Sequence, residues 1–129
     1  MKNEDFAYTV ETKKSFDEAV VSVLKAVDQK GWTVFNVYDI RERLAAKGFT
    51  HEPMKIIEVC SGKHANQFLR KNRLVSLCLP CKIVVFADAG KVMIAGMMPM
   101  MLAELFPQIS KAEAEAVGSE VRGIVDGAK

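Results

Sequence analysis

Two apolar segments rich in β-branched residues flank a short turn in the second half of the chain. They are residues 81–87 and 91–95, and Asp88, Ala89 and Gly90 separate them. This pattern predicts a β-hairpin, in which the two strands run antiparallel. An antiparallel sheet needs an apolar layer on at least one face, so the rest of the chain must supply elements that cover it.

Two serines mark the starts of amphipathic helices that can form this layer. Ser15 with Glu18, and Ser110 with Glu113, have the spacing of a capping box. The first helix carries apolar residues at helical spacing. It ends at Gly31, because glycine readily adopts the left-handed conformation found just beyond helix C-termini.

The remaining segments complete the predicted order of elements. We predict strands at 7–12, 32–38 and 54–60, a β-rich stretch at 75–87 interrupted by Pro80, and short helices at 40–47, 63–70 and 99–106. In the helix at 63–70, we expect Ala65, Phe68 and Leu69 to face the core. This order favours an α+β fold, with a single antiparallel sheet backed by helices on one face, in one domain over residues 1–129.

Charge and hydropathy exclude several classes of protein. The 18 Lys and Arg residues against 16 Asp and Glu leave a net charge of +2, which is not the basic footprint of a nucleic-acid-binding protein. The densest basic cluster, Arg70, Lys71 and Arg73, is interpreted as the cationic end of a helix. Residues 1–12 have no apolar core of a signal peptide, and the apolar segment 92–106 is shorter than a membrane helix. We therefore expect a cytoplasmic protein with no nucleic-acid or membrane partner.

Three cysteines are the first candidates for chemistry. Cys60 lies where a strand meets a helix, and a thiol at a helix N-terminus is stabilised as the thiolate. His64 follows one turn later, where it can accept the proton of Cys60. Cys78 and Cys81 form a C-x-x-C, but the residues after it predict a strand, so their pairing requires Pro80 to turn the chain. The alternative interpretation of each cysteine is a small apolar residue buried in the core.

Sulfur-containing side chains also suggest a ligand or a metal site. A zinc site would need Cys60, Cys78 and Cys81 as ligands together with His64 or His51. The sequence has no second pair of closely spaced cysteines. Monovalent copper suits thioethers, and five of the seven methionines cluster near Pro99: Met93, Met97, Met98, Met100 and Met101. Methionines also fill irregular cores and interfaces. No cofactor follows from the sequence.

The chain resembles the 302 family of domains of unknown function over nearly its whole length. Several short motifs carry the resemblance, above all Leu79-Pro80-Cys81. The others are the opening Tyr8-Thr9-Val10, the segment from Ser15 to Ala19, Gly31, Asp39 with Leu44, Lys47-Gly48, and Cys60 with Ala65. Cys60 and Cys81 fall on the two cysteines of the family, whereas Ser61, Gly62, His64 and Cys78 depart from its pattern. The resemblance implies a fold like that of the TATA-binding protein, often dimeric, with Cys60 near Cys81.

These observations leave three hypotheses about function. The first is a non-enzymatic or accessory homodimer with a small ligand in a pocket lined by cysteines and methionines, including Cys78, Met97, Met98, Met100 and Met101. The second is a thiol-dependent redox or sulfur-handling protein that uses Cys60 with His64 and Cys81. The third is soft-metal or zinc binding at the same cysteines. Whether the protein is an enzyme stays open at this point.

Overall fold

The strands of the computed structural model, which describes residues 2–129, form one antiparallel sheet in the order β1-β5-β4-β3-β2. They are β1 (Ala7–Thr12), β2 (Thr33–Asp39), β3 (Met54–Cys60), β4 (Cys81–Asp88) and β5 (Lys91–Met97). The predicted hairpin is formed by β4 and β5, and its turn places Ala89 and Gly90 at φ values of 51° and 83°. The predicted α+β class with an antiparallel sheet is confirmed.

The helices begin and end near the predicted signals. They are α1 (Asn3–Phe6), α2 (Phe16–Gln29), α3 (Ile40–Ala45), α4 (Gly62–Lys71), α5 (Met100–Leu105) and α6 (Lys111–Ala128), with a 3-10 helix at Arg73–Leu77. Both predicted capping boxes are present, because the hydroxyls of Ser15 and Ser110 accept hydrogen bonds from the third helical amide of α2 and α6. Gly31 follows α2 with φ at +80°, as its position predicted.

The core lies between one face of the sheet and the two long helices, α2 and α6. Alternate strand residues point into it and are fully buried, among them Ile57, Val59, Ile83, Val85 and Ile94. Gly96 permits close approach of α6, since a Cβ at this position would lie 2.6 Å from Cγ1 of Val121. The strand residues that alternate with these are half-buried on the opposite face.

Two predictions for the segment between β3 and β4 are wrong. Residues 75–77 lie in the 3-10 helix rather than in a strand, because the Asn72 side chain accepts a hydrogen bond from the amide of Leu74 and closes a tight turn. Leu69 is exposed, while Phe68 is buried and anchors α4. A helix of ten residues that contacts the core along one edge buries a single large side chain here.

The apolar segment 92–106 is divided between β5 and α5, with Pro99 between them. Its residues Ile94, Met98 and Leu102 belong to the buried core, as the sequence predicted for this segment. Within the described residues 2–129, none of the helices combines the length and the apolar character needed to cross a membrane.

Candidate functional site

A small cavity, here called the thiol cavity, lies where β3 ends and the chain turns into α4. Its volume is about 10 Å³, roughly what one water molecule requires. The wall contains Cys60, Cys81 and His64, the three residues that the sequence nominated for catalysis. Most of the remaining wall is apolar: Trp32, Val59, Ala65, Phe68, Leu79, Pro99, Leu102 and Val117, with Ser61 at the turn.

The local sequence explains how Cys60 and His64 come to one cavity. Cys60 is the last residue of β3, and Ser61 caps α4 by accepting a hydrogen bond from the amide of His64 at 3.4 Å. The cap starts the helix immediately after the strand, so the imidazole lies on the first turn, beside the end of β3.

The two cysteines of the cavity come from neighbouring strands. Val59 pairs with Cys81 across β3 and β4, so Cys60 follows that pair by one residue. In regular strands this offset would turn the two thiols to opposite faces of the sheet. However, β3 ends at Cys60, and both residues line the same cavity. The predicted proximity of Cys60 and Cys81 therefore depends on the end of the strand.

Burial governs the acidity of both thiols. It raises the pKa of Cys60 above its ordinary value, opposite to the lowering expected from the helix N-terminus. Burial also raises the pKa of Cys81 to about 11, and negative charge on Cys60 contributes in the same direction. Because Cys60 is half-buried and Cys81 is buried, Cys60 is the more accessible thiol of the two.

A carboxylate on α6 holds the imidazole of His64. Nε2 of His64 contacts Oε2 of Glu120, and the other carboxylate oxygen accepts a hydrogen bond from Nε1 of Trp32 at 3.2 Å. Burial acts to raise the pKa of Glu120, but the hydrogen bonds from His64 and Trp32 outweigh it, so this pKa lies below its ordinary value. The rings of Trp32 and His64 are 6.4 Å apart between centroids. Glu120 thus fixes the orientation of His64.

A second carboxylate joins the far end of α4 to α6. Oε2 of Glu113 lies 2.5 Å from Nζ of Lys71 and accepts a hydrogen bond from the Gln67 amide at 3.3 Å. The hydrogen bonds from Lys71 and from the Ser110 cap lower the pKa of Glu113 to about 2. Since both ends of α4 are tied to α6, the cavity wall between them is held in place.

Sequence reasoning missed Trp32 and Glu120. Trp32 was assigned only to a strand, although a buried indole N–H requires a hydrogen-bond partner and so predicts a polar residue nearby. Glu120 carries no comparable signal, because it is one of four acidic residues of the amphipathic helix α6. The others are Glu113, Glu115 and Asp126. Only the packing of α6 against α4 brings it to His64.

Cys78 and the methionines do not join the thiol cavity, contrary to the predicted shared pocket. Cys78 lies at the end of the 3-10 helix, outside the lining of the cavity, and all three cysteines are free thiols. Met97 lies in β5 opposite Ala7, on the face of the sheet away from the core. From the 97–101 segment only Pro99 reaches the cavity, because Pro99 redirects the chain between β5 and α5.

The other methionines of this segment line a separate open groove, here called the methionine groove. It has a volume of about 410 Å³ and is formed by α1, α5 and α6. Three thioethers and three carboxylates contribute to its wall together with one guanidinium: Met98, Met100, Met101, Glu4, Asp5, Glu104 and Arg122. The two cysteines of the thiol cavity and these three methionines thus lie in separate places.

The zinc alternative lacks the ligands it requires. In the part of the chain that the structure describes, residues 2–129, no three His, Cys, Asp or Glu side chains form a group that could hold a metal ion. His51 lies in the exposed loop before β3 and does not line the thiol cavity. The cavity therefore offers thiols and an imidazole without a tetrahedral ligand set.

Comparisons with known proteins agree with the fold. The family model described as "Domain of unknown function DUF302" matches residues 8–128. The crystal structure of the uncharacterized conserved protein DUF302 from Bacillus stearothermophilus is similar, with a TM-score of 0.88 and 29% identity over 96% of this chain and 98% of that chain. None of the curated proteins matches the sequence. The resemblance found in the sequence is confirmed: the chain belongs to the DUF302 family of domains of unknown function.

Proposed function

We propose that the protein is a thiol-dependent redox or sulfur-handling protein, with Cys60 as the reacting thiol, His64 as its proton partner and Cys81 as the second thiol. The observation that carries this proposal is the convergence of both thiols and an oriented imidazole on one cavity. A purely structural cavity has no need of a histidine held by a carboxylate, and such pairs recur where an imidazole moves protons.

The Glu120 contact determines which nitrogen of His64 can accept a proton. Glu120 is ionised near neutral pH, because its pKa lies below the ordinary value, and an ionised carboxylate accepts hydrogen bonds only. The neutral imidazole therefore carries its proton on Nε2, which leaves Nδ1 as the acceptor. Transfer of the Cys60 proton to Nδ1 offsets the burial that otherwise disfavours the thiolate.

The substrate class that fits two thiols is a small disulfide. The Cys60 thiolate attacks one sulfur of the disulfide, the S–S bond breaks, and the leaving thiolate takes up a proton. The thiolate of Cys81 then attacks the mixed disulfide at Cys60, which releases the second substrate thiol and forms a Cys60–Cys81 disulfide. Two electrons pass from the two cysteines to the substrate. With a sulfane-sulfur donor, the Cys60 thiolate attacks the outer sulfur, the donor's bond to that sulfur breaks, the rest of the donor leaves as an anion, and Cys60 holds the sulfur as a persulfide.

A preformed small-ligand pocket has less support at the cysteines. Ligand pockets commonly have volumes of about 300–1,000 Å³, whereas the thiol cavity has a volume of about 10 Å³. A small ligand at this site would need the wall between α4 and α6 to open. The ligand-binding hypothesis is better placed in the methionine groove, which has the required volume.

The homodimer predicted from the sequence is also part of the proposal, and we place its interface on the sheet face opposite α2 and α6. This face carries a block of half-buried apolar side chains: Met54, Ile56, Val84, Phe86, Met93, Ala95 and Met97. Acidic and basic residues lie beside each other at two of its corners, Glu58 with Lys82 and Glu11 with Lys91. A second copy meets such a face without net charge repulsion.

Sedimentation velocity tests the interface. Wild-type protein is expected to sediment as a dimer, and Phe86→Glu as a folded monomer, because a charge is then buried in the apolar block. Leu77→Glu is the control, since Leu77 is 82% exposed on the 3-10 helix. A monomeric wild-type protein, or a Phe86→Glu variant that stays dimeric, would overturn this interface.

The reactive-thiol proposal is tested by the rate of alkylation of each cysteine as a function of pH, followed by mass spectrometry. For wild-type protein we expect the alkylation rate of Cys60 to rise with pH and to depend on the His64 imidazole as proton acceptor. His64→Gln should slow Cys60 at least tenfold at pH 7, and Glu120→Gln should slow it less. Cys81 should stay the slowest of the three.

Glu113→Gln is the matched control, because Glu113 also links α4 to α6 but does not line the cavity. It should leave the alkylation rate of Cys60 unchanged. If Cys60 reacts at one rate in all variants, and more slowly than in the unfolded chain, His64 has no role and Cys60 is a core residue. The cytoplasmic location belongs to the same proposal, since free thiols persist in a reducing compartment.

A further inference from the structure

We propose that the methionine groove binds one soft monovalent cation of the Cu(I) or Ag(I) class through Met98, Met100 and Met101. This inference is independent of the thiol chemistry, because no cysteine lines the groove. It differs from the metal hypotheses at the cysteines both in its ligands and in its place in the fold.

The first argument is the nature of the donors. Thioethers are weak ligands for hard and borderline cations and good ligands for Cu(I). Three of them line one groove around Pro99: Met98 follows the end of β5, and Met100 and Met101 open α5. Three thioethers in the wall of one groove supply the number of ligands that a trigonal soft-metal site requires, and zinc or magnesium would not select them.

The second argument is the charge around these sulfurs. Three carboxylates line the groove, Glu4 and Asp5 from α1 and Glu104 from α5. The one guanidinium in the wall, Arg122, is already in contact with Glu115, which lies seven residues earlier in α6. The groove therefore carries negative charge beside the neutral thioethers. Its carboxylates attract an incoming cation, and as hard ligands they do not compete with the thioethers for a soft ion.

The third argument is that one donor is buried and the other two lie at the rim. Met98 is buried, and its Cε lies so close to Gly118 that a Cβ there would be 2.8 Å away. Met100 and Met101 are half-buried at the rim. Unbranched methionine side chains rotate readily, so the two rim sulfurs can close on a cation that rests against Met98.

The test is a titration of protein carrying ¹³C-methyl methionine with Ag(I) and then with buffered Cu(I), followed by NMR. The Cys60→Ser/Cys78→Ser variant removes the two accessible thiols, and wild-type protein is titrated in parallel. We expect the methyl resonances of Met98, Met100 and Met101 to shift along one curve that saturates at one equivalent. The resonances of Met93 and Met97, which lie on the strands, should not move.

Substitutions distinguish one defined cation site from cation binding at scattered methionines. Met100→Leu and Met101→Leu preserve volume and should each weaken the affinity at least tenfold, while Met97→Leu leaves it unchanged. The unfolding midpoint of each variant without the cation, measured in urea, shows that the fold is intact. Methionine signals that move one at a time without saturation, binding at the cysteines only, or an unchanged affinity in Met100→Leu would each overturn the proposal.

Discussion

The thiol cavity and the methionine groove lie on either side of Pro99, yet they hold sulfur in opposite environments. The cavity is lined mainly by apolar side chains and has room for about one water molecule. The groove is open, and flexible thioethers and carboxylates form most of its wall. One short segment of chain serves both, because Pro99 and Leu102 face the cavity while Met100 and Met101 face the groove.

The difference indicates what each place can do. A thiol changes charge when it reacts, so its surroundings must control a proton, and the cavity supplies His64 with Glu120 for that purpose. A thioether does not titrate, so the groove has no need of a proton acceptor and can stay open to solvent. Rigid walls suit the first kind of site, and adaptable side chains suit the second.

The largest expected effect comes from removing a rigid wall of the cavity. Phe68 is 2% exposed, and Phe68→Ala should destabilise the protein by about 3–5 kcal/mol in urea unfolding, since it leaves a void in the core. The same change should speed the alkylation of Cys60 and Cys81 by widening the cavity.

Leu105→Ala is the control near the groove, because Leu105 is 58% exposed at the end of α5. It should change stability by no more than about 0.5 kcal/mol. A cost for Phe68→Ala below that of Leu105→Ala would contradict the contrast between a rigid and an adaptable site.

A smaller effect is expected from adding one methyl group at either of two glycines, Gly96 in β5 and Gly118 in α6. At Gly96 a Cβ would lie 2.6 Å from Val121 and 3.0 Å from Val125, which are stiff β-branched side chains. Gly96→Ala should therefore cost about 1–3 kcal/mol in urea unfolding.

At Gly118 the nearest atom is the end of the flexible Met98 side chain, which can move aside. Gly118→Ala also gains helix propensity of about 1 kcal/mol, so its net effect should be smaller than that of Gly96→Ala. It should also shift the methyl resonance of Met98. Equal costs for the two variants would show that Met98 is as rigid as the valines and would count against an adaptable groove.

Much of the fold was predictable because its signals are local. The capping boxes at Ser15 and Ser110 and the turn at Gly90 each depend on residues within a few positions, and each was found where predicted. The segment after α4 was misassigned because its β-branched and apolar residues favour a strand, whereas the Leu74 amide donates a hydrogen bond to the Asn72 side chain and a 3-10 helix forms.

The site was predictable only in part. Cys60 and His64 are four residues apart in sequence, and the helix that is capped by Ser61 starts directly after Cys60, so both lie in the wall of one cavity. For Cys60 the sequence left two interpretations open, a thiolate stabilised by the helix N-terminus and a residue buried in the core, and burial raises its pKa. The shared pocket of cysteines and methionines was wrong, because the sequence does not tell which way Pro99 turns the chain.

The sequence by itself determined most of the strands and helices, the antiparallel hairpin, and the cysteine and histidine at the start of α4, since these follow from short-range periodicity and capping. The resemblance of its motifs identified the family. Only the tertiary structure decided that Glu120, 56 residues away from His64, holds its ring, and that Trp32 holds Glu120. It also decided that three methionines and three carboxylates share a groove. Such contacts join distant elements through packing, and a local pattern in the sequence does not encode which solvated residue of a helix will meet which partner.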